Sequence, residues 1–91
     1  MNEKRWHILL IDDNPDDRAD LRQMLLRGSE RRYKFTEAEL GAEGLAKILA
    51  ARDNPYDCVL LDFHLPDMNA DQVLDEIYKT SVLPKRLRSL L

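Results

Sequence analysis

Three carboxylates stand where otherwise apolar stretches give out. Asp12 and Asp13 follow Trp6-His7-Ile8-Leu9-Leu10-Ile11, and Asp62 follows Cys58-Val59-Leu60-Leu61. Nearly continuous apolar runs suit strands covered on both faces. If the two strands are neighbours, three acids meet at one edge of a sheet. Left uncompensated, they repel and raise one another's pKa. A hard divalent cation relieves that repulsion, and magnesium, which keeps several of its waters, needs only one or two direct carboxylates. A carboxylate beside such an ion can attack phosphorus and become an aspartyl phosphate while the metal neutralises the phosphoryl oxygens. The bland counterpart is a set of solvated acids at strand ends.

The elements that must position these acids alternate along the chain. Asn14 is a good helix N-cap, Pro15 fits the first helical position, and Asp16 and Asp17 suit the positive end of the helix dipole. A helix is predicted to about Arg27, with Leu21, Met24, Leu25 and Leu26 inward, stopped by Gly28. Asp16, Asp17 and Asp20 then read as its solvated start. Tyr33 to Ala38 is a second, more polar strand nearer a sheet edge. Ala42 to Ala51 is a short helix with Ala42, Leu45, Ile48 and Leu49 on one face, weakened by Gly44 by up to ~1 kcal/mol. Asn54-Pro55 breaks the chain before the strand Cys58–Leu61. After the loop Phe63 to Asn69, a helix capped by Asn69 runs to about Lys79, with Val73, Leu74 and Ile77 inward. The order β-α-β-α-β-α implies an α/β fold with a parallel sheet, and ligands of such sheets gather outside the carboxyl ends of the strands.

Composition bounds the function. With 91 residues there is room for one domain, and 44% apolar residues are too many for a disordered chain. A single cysteine, Cys58, excludes an internal disulfide framework and a cysteine-rich zinc site; it reads as a small buried hydrophobe. The longest apolar stretches fall far short of the ~20 residues that span a bilayer, and the opening run is too short for a signal peptide, so no membrane partner and a cytoplasmic location are expected. A net charge of -3 argues against nucleic acid as the main partner. His7 reads as structural or exposed, and Arg27, Arg31, Arg32 and Lys34 as a solvated group of charge.

Two segments resemble one family. Ile8-Leu9-Leu10-Ile11-Asp12-Asp13-Asn14 is similar to the opening motif of response-regulator receiver domains, and Val59 to Ala70 is similar to that family's phosphoacceptor strand and loop. The resemblance covers residues 6–79 of a single domain 1–91, leaving a tail, 80–91, outside it. It implies a flavodoxin-like parallel sheet with strand order 2-1-3 over these elements. It implies Asp62 as phosphoacceptor, taking a phosphoryl group from a histidine kinase or phosphotransfer protein. It further implies magnesium held directly by Asp13, Asp62 and the main-chain carbonyl of His64, and by Asp12 through water. Pro66 and Met68 match the loop that shapes the site. Ala70 stands where the family usually has Gly, which should tighten the turn without removing chemistry.

A complete receiver also has a fourth strand ending in Thr or Ser, and a fifth that supplies an aromatic residue and ends in Lys. Here Ser81 to Pro84 makes a poor fourth strand, and neither Ser89 nor Lys85 follows an apolar strand. Leu83, Leu87, Leu90 and Leu91 fall on one helical face, with Pro84 at its start, so a short C-terminal helix is expected. The strand Cys58–Leu61 would then be an unpaired apolar edge, and such edges recruit another strand. A homodimer through that edge or through the tail is the corresponding expectation. Two functions follow: a signalling module phosphorylated on Asp62, impaired by the missing strands, or a non-catalytic truncated receiver that only dimerises or occupies a kinase. A magnesium-dependent aspartyl phosphatase of the haloacid-dehalogenase type needs its second Asp two positions on, where this chain has adjacent acids. A flavin-binding reading lacks a Ser/Thr-rich phosphate loop.

Overall fold

In the computed structural model, which describes residues 5–28, 30–80 and 83–90, the first apolar run is buried on both faces. Strand β1 (Arg5–Ile11) carries Ile8, Leu9, Leu10 and Ile11, all buried. It pairs in parallel with β2 (Arg32–Ala38) on one side and β3 (Cys58–Asp62) on the other. Alternation then divides its side chains. Leu9 and Ile11 join Val59 and Leu61 in the main core, which α2 (Gly41–Ala50) and α3 (Ala70–Thr80) close with Ile48, Val73 and Ile77. Ile8 and Leu10 point to the opposite face, where α1 (Pro15–Arg27) lies.

Each helix starts as its sequence directs, with differences in which face is buried. Asn14 Oδ1 accepts from the Asp16 amide at 2.8 Å and the Asp17 amide at 3.4 Å, and Gly28 N–H closes the last turn on the Met24 carbonyl. Met24 and Leu26, expected inward, are 66% and 52% exposed. The helix instead turns Arg18 inward, together with the half-buried Leu21 and Leu25 three and seven residues on. In α2, the buried residues are Gly41, Gly44 and Ile48, while Ala42 and Leu49 are exposed. The reason is close approach. A Cβ on Gly44 would run into the Ile11 side chain, so the glycine that weakens the helix is what lets it lie against β1. Asn69 and Gln72 cap α3 reciprocally, each side chain accepting from the other's amide at 2.9 Å. Ala70 is buried, and its amide donates to the Phe63 carbonyl.

The tail corrects the sequence expectation. Residues 84–90 do not make a helix; Leu87–Leu90 form a fourth parallel strand, β4, so the sheet order is β2-β1-β3-β4. A helix of seven or eight residues is marginal by itself, whereas a strand here satisfies the backbone of β3. Leu87 packs against the main core, and Leu83, on the supposed helical face, is 49% exposed. The edge of β3 is therefore covered, and pairing of a second copy along it is not available. Buried Asp57 fastens this end of the sheet. Its Oδ2 accepts from the His7 amide at 2.9 Å, its own amide donates to the His7 carbonyl, and its Oδ1 takes the Lys85 ammonium at 3.2 Å. His7 is thus structural, with Nε2 2.7 Å from Thr36 Oγ1.

Gly-to-Ala changes on exposed helical positions stabilise by up to ~1 kcal/mol. Gly44→Ala should do the opposite, lowering stability by about 1–3 kcal/mol through overpacking against Ile11. A urea midpoint below that of the parent, at unchanged slope, is the expected readout.

Candidate functional site

The parallel register of β1 and β3 pairs Ile11 with Leu61, so the chain leaves both strands at the same level. Asp12 and Asp62 emerge there side by side, with Asp13 next. One carboxylate oxygen from each of Asp12, Asp13 and Asp62 lies within 4.8 Å of the others. All three acids expected at the site are thus brought together, at the carboxyl ends of the strands. Asp12 is buried, Asp62 half-buried and Asp13 exposed.

Their surroundings decide how each behaves. Asp12 Oδ1 accepts from the Asn14 amide at 3.0 Å, and the Asp12 amide donates to the Ala38 carbonyl at 3.0 Å. Behind it, Arg18 donates from Nη1 to the Asp12 carbonyl and from Nε to Glu37 at 2.7 Å; Arg22 reaches the other Glu37 oxygen at 2.6 Å. A buried cation is therefore spent on β2 and the Asp12 main chain. At Asp62, burial pushes the carboxyl above its ordinary value, and the negative charges of Asp12 and Asp13 push it further. The His64 and Phe63 amides, donating to it, offset part of this.

The remaining sequence-derived positions separate cleanly. His64 is exposed, its ring edge-on to Phe63 at 4.9 Å, and its backbone bridges to Asn69. Asp16, Asp17 and Asp20 are exposed on the start of α1, as a solvated helix start should be. Lys85 is held by Asp57 before the start of β3. At ~3.3 Å per residue that is about 16 Å along the strand from Asp62, so it supplies no charge at the acidic edge. Ser89 sits on β4 opposite Leu61, the residue before Asp62. The alternation of Leu87 and Ser89 with Arg86 and Arg88 was the available signal for that strand. Arg18 and Asp67 were also missed; a lone charge on the inward face of α1 marked the former.

The response regulator receiver domain family matches residues 8–87. The probable C4-dicarboxylate response regulator DctR of Priestia megaterium is 29% identical over 87 residues, covering 91% of this chain and 36% of its own. The transcriptional regulatory protein GlrR of Escherichia coli is 34% identical over 79 residues, covering 87% of this chain and 16% of its own. Protein PilH of Pseudomonas aeruginosa is 34% identical over 80 residues, covering 85% of this chain and 61% of its own. The chain thus spans less than two thirds of the length of each of these relatives. Among solved structures, the MaeR response regulator bound to beryllium trifluoride is similar, with a TM-score of 0.76 at 25% identity over 92% of this chain and 65% of that one. No helix among the described residues is long and apolar enough to cross a membrane.

Burial of Asp62, with repulsion from Asp12 and Asp13, has a measurable consequence. Because the folded Asp62 carboxyl titrates above its unfolded value, the folded chain holds more protons in that interval, and stability without metal should fall as pH rises through it. Asp62→Asn removes both the charge and the dependence. Its melting temperature near neutral pH, without metal, should exceed the parent's by a few degrees, read by circular dichroism across a pH series.

Proposed function

The chain belongs to the response regulator receiver domain family, and from that membership we propose that Asp62 is a phosphoacceptor in phosphotransfer from a histidine kinase or phosphotransfer protein. The observation that carries this reading is the convergence of Asp12, Asp13 and Asp62 at the carboxyl edge of the sheet. Three acidic oxygens within 4.8 Å of one another form a hard-oxygen donor set of the kind magnesium takes. Asp13, Asp62 and the His64 main-chain carbonyl would hold the ion directly, and Asp12 through water. When bound, magnesium supplies positive charge to the phosphoryl oxygens.

The rest of the step belongs to the chain's own groups. The ionised Asp62 carboxylate attacks phosphorus; the new oxygen–phosphorus bond forms as the phosphorus–nitrogen bond to the donor imidazole breaks. The electron pair of that bond leaves with the imidazole nitrogen, which takes a proton from solvent. Asp12, tied down by the Asn14 amide and by Arg18 at its carbonyl, keeps its place as charge moves beside it. Lys85, engaged with Asp57, does not serve as the family's phosphoryl-contacting lysine. The beryllium trifluoride complex of the similar MaeR response regulator accords with this reading.

The test is intact mass after incubation with magnesium and a small acyl phosphate. A gain of one phosphoryl group is expected, lost with Asp62→Asn and with a chelator. No gain, from protein shown to be folded, would instead support a receiver module that works by association alone.

A further inference from the structure

Helix α2 begins without a capping side chain of its own. Leu40 stands at its N-cap position and makes no side-chain hydrogen bond. The donors of the first turn are met from elsewhere in the chain. Asp67, in the loop between β3 and α3, accepts from the Gly41 amide through Oδ1 at 2.8 Å and from the Ala42 amide through Oδ2 at 2.9 Å. Both carboxylate oxygens are engaged, so the carboxylate is fixed in position and in plane, at the positive end of a helix dipole. The Ala42 amide, joined by the amides of Gly41, Asp67 and Met68, holds this carboxyl below its ordinary value against the opposing effect of burial.

A second contact locks the same two elements. The position a Cβ would take on Gly41 is filled by the Met68 side chain, with Val73 Cγ2 at 3.3 Å. Only glycine lets α2 close onto Met68, the neighbour of Asp67. The segment held in this way is short. Asp62 ends β3, Leu65 is buried in the main core, and Pro66 has a fixed φ. Asn69 caps α3, and the Ala70 amide returns to the Phe63 carbonyl. Between these points lies the His64 peptide, whose N–H donates to Asp62.

We propose that Asp67, gripping the first turn of α2, is the positioning residue of the acidic site, setting the course of residues 63–66 so that the His64 peptide lies at Asp62 ready for a divalent cation. This rests on the magnesium reading of the site. Asp67 touches neither cation nor phosphoryl group; it acts through the loop. Supporting groups of this kind typically change metal affinity by 10- to 100-fold when removed.

The experiment is a calorimetric titration of the full chain with magnesium chloride, paired with thermal melts and amide chemical shifts of Phe63 and His64. Asp67→Ala should weaken magnesium binding about 10-fold and displace both shifts, with Asp67→Asn, which keeps one acceptor, in between. Asp57→Asn loosens the opposite end of the sheet. It should lower the melting temperature and leave magnesium affinity at the parent value, which separates positioning from general destabilisation. If Asp67→Ala fails to fold, Asp67→Asn carries the test, since its retained oxygen still caps one amide. Parent-like affinity in a folded Asp67 variant, or an equal loss in Asp57→Asn, overturns the proposal. A parent chain that binds no magnesium overturns the metal reading beneath it, which is a different result.

Discussion

The structure depends on one register. Parallel pairing of β1 with β3, Ile11 against Leu61, brings two chain segments fifty residues apart to the same level at the same edge. A shift of one residue would turn Leu9, Ile11, Val59 and Leu61 away from α2 and α3, so burial of that core holds the register. The acids inherit it. Asp12, Asp13 and Asp62 meet because the apolar residues before them cannot pair otherwise, and their mutual repulsion is the cost the core offsets.

The two ends of the sheet handle charge differently. At the amino end, Asp57 is buried but fully engaged, accepting from the His7 amide and the Lys85 ammonium. Its charge is satisfied, and it serves as a fastener. At the carboxyl end, the nearest buried cation, Arg18, is turned toward Glu37 and the Asp12 carbonyl. The three carboxylates are therefore left facing one another. An acid that is neutralised in place is a structural part; acids held together with no counter-charge among the described residues are suited to receive a cation.

Around that edge, rigidity comes from contacts that cross between elements. Arg18 ties α1 to β2, and Asp67 ties the β3–α3 loop to α2. Glycine permits the second: Gly41 makes room for Met68, as Gly44 makes room for Ile11. Small residues in α2 trade helix propensity for proximity, and proximity is what lets a loop be held by a helix end.

Much of this was legible in the sequence because it is local. Apolar runs ending in acids marked β1, β3 and the three carboxylates, and Asn14-Pro15 and Asn69 marked helix starts whose caps lie within three residues. Leu21, Leu25, Leu45 and Ile48 turn inward as the spacing indicated, but how far the buried faces of α1 and α2 extend was not legible, because Met24, Leu26, Ala42 and Leu49 are equally apolar and yet exposed. In α2 the fit against β1, where Gly44 meets Ile11, chose between them. The tail was misread for the same reason. Leu83, Leu87 and Leu90 satisfy a helical period, while Leu87 and Ser89 equally satisfy a strand's. The sequence by itself determined the alternating elements and the acids at their ends, since spacing and caps act over a few residues. The tertiary structure alone decided that the tail pairs with β3, that Lys85 answers Asp57, and that Asp67 caps α2. Hydrogen-bond partners 25 or more residues apart leave no trace in local pattern, and the open edge of β3 outweighs the weak preference of a short tail.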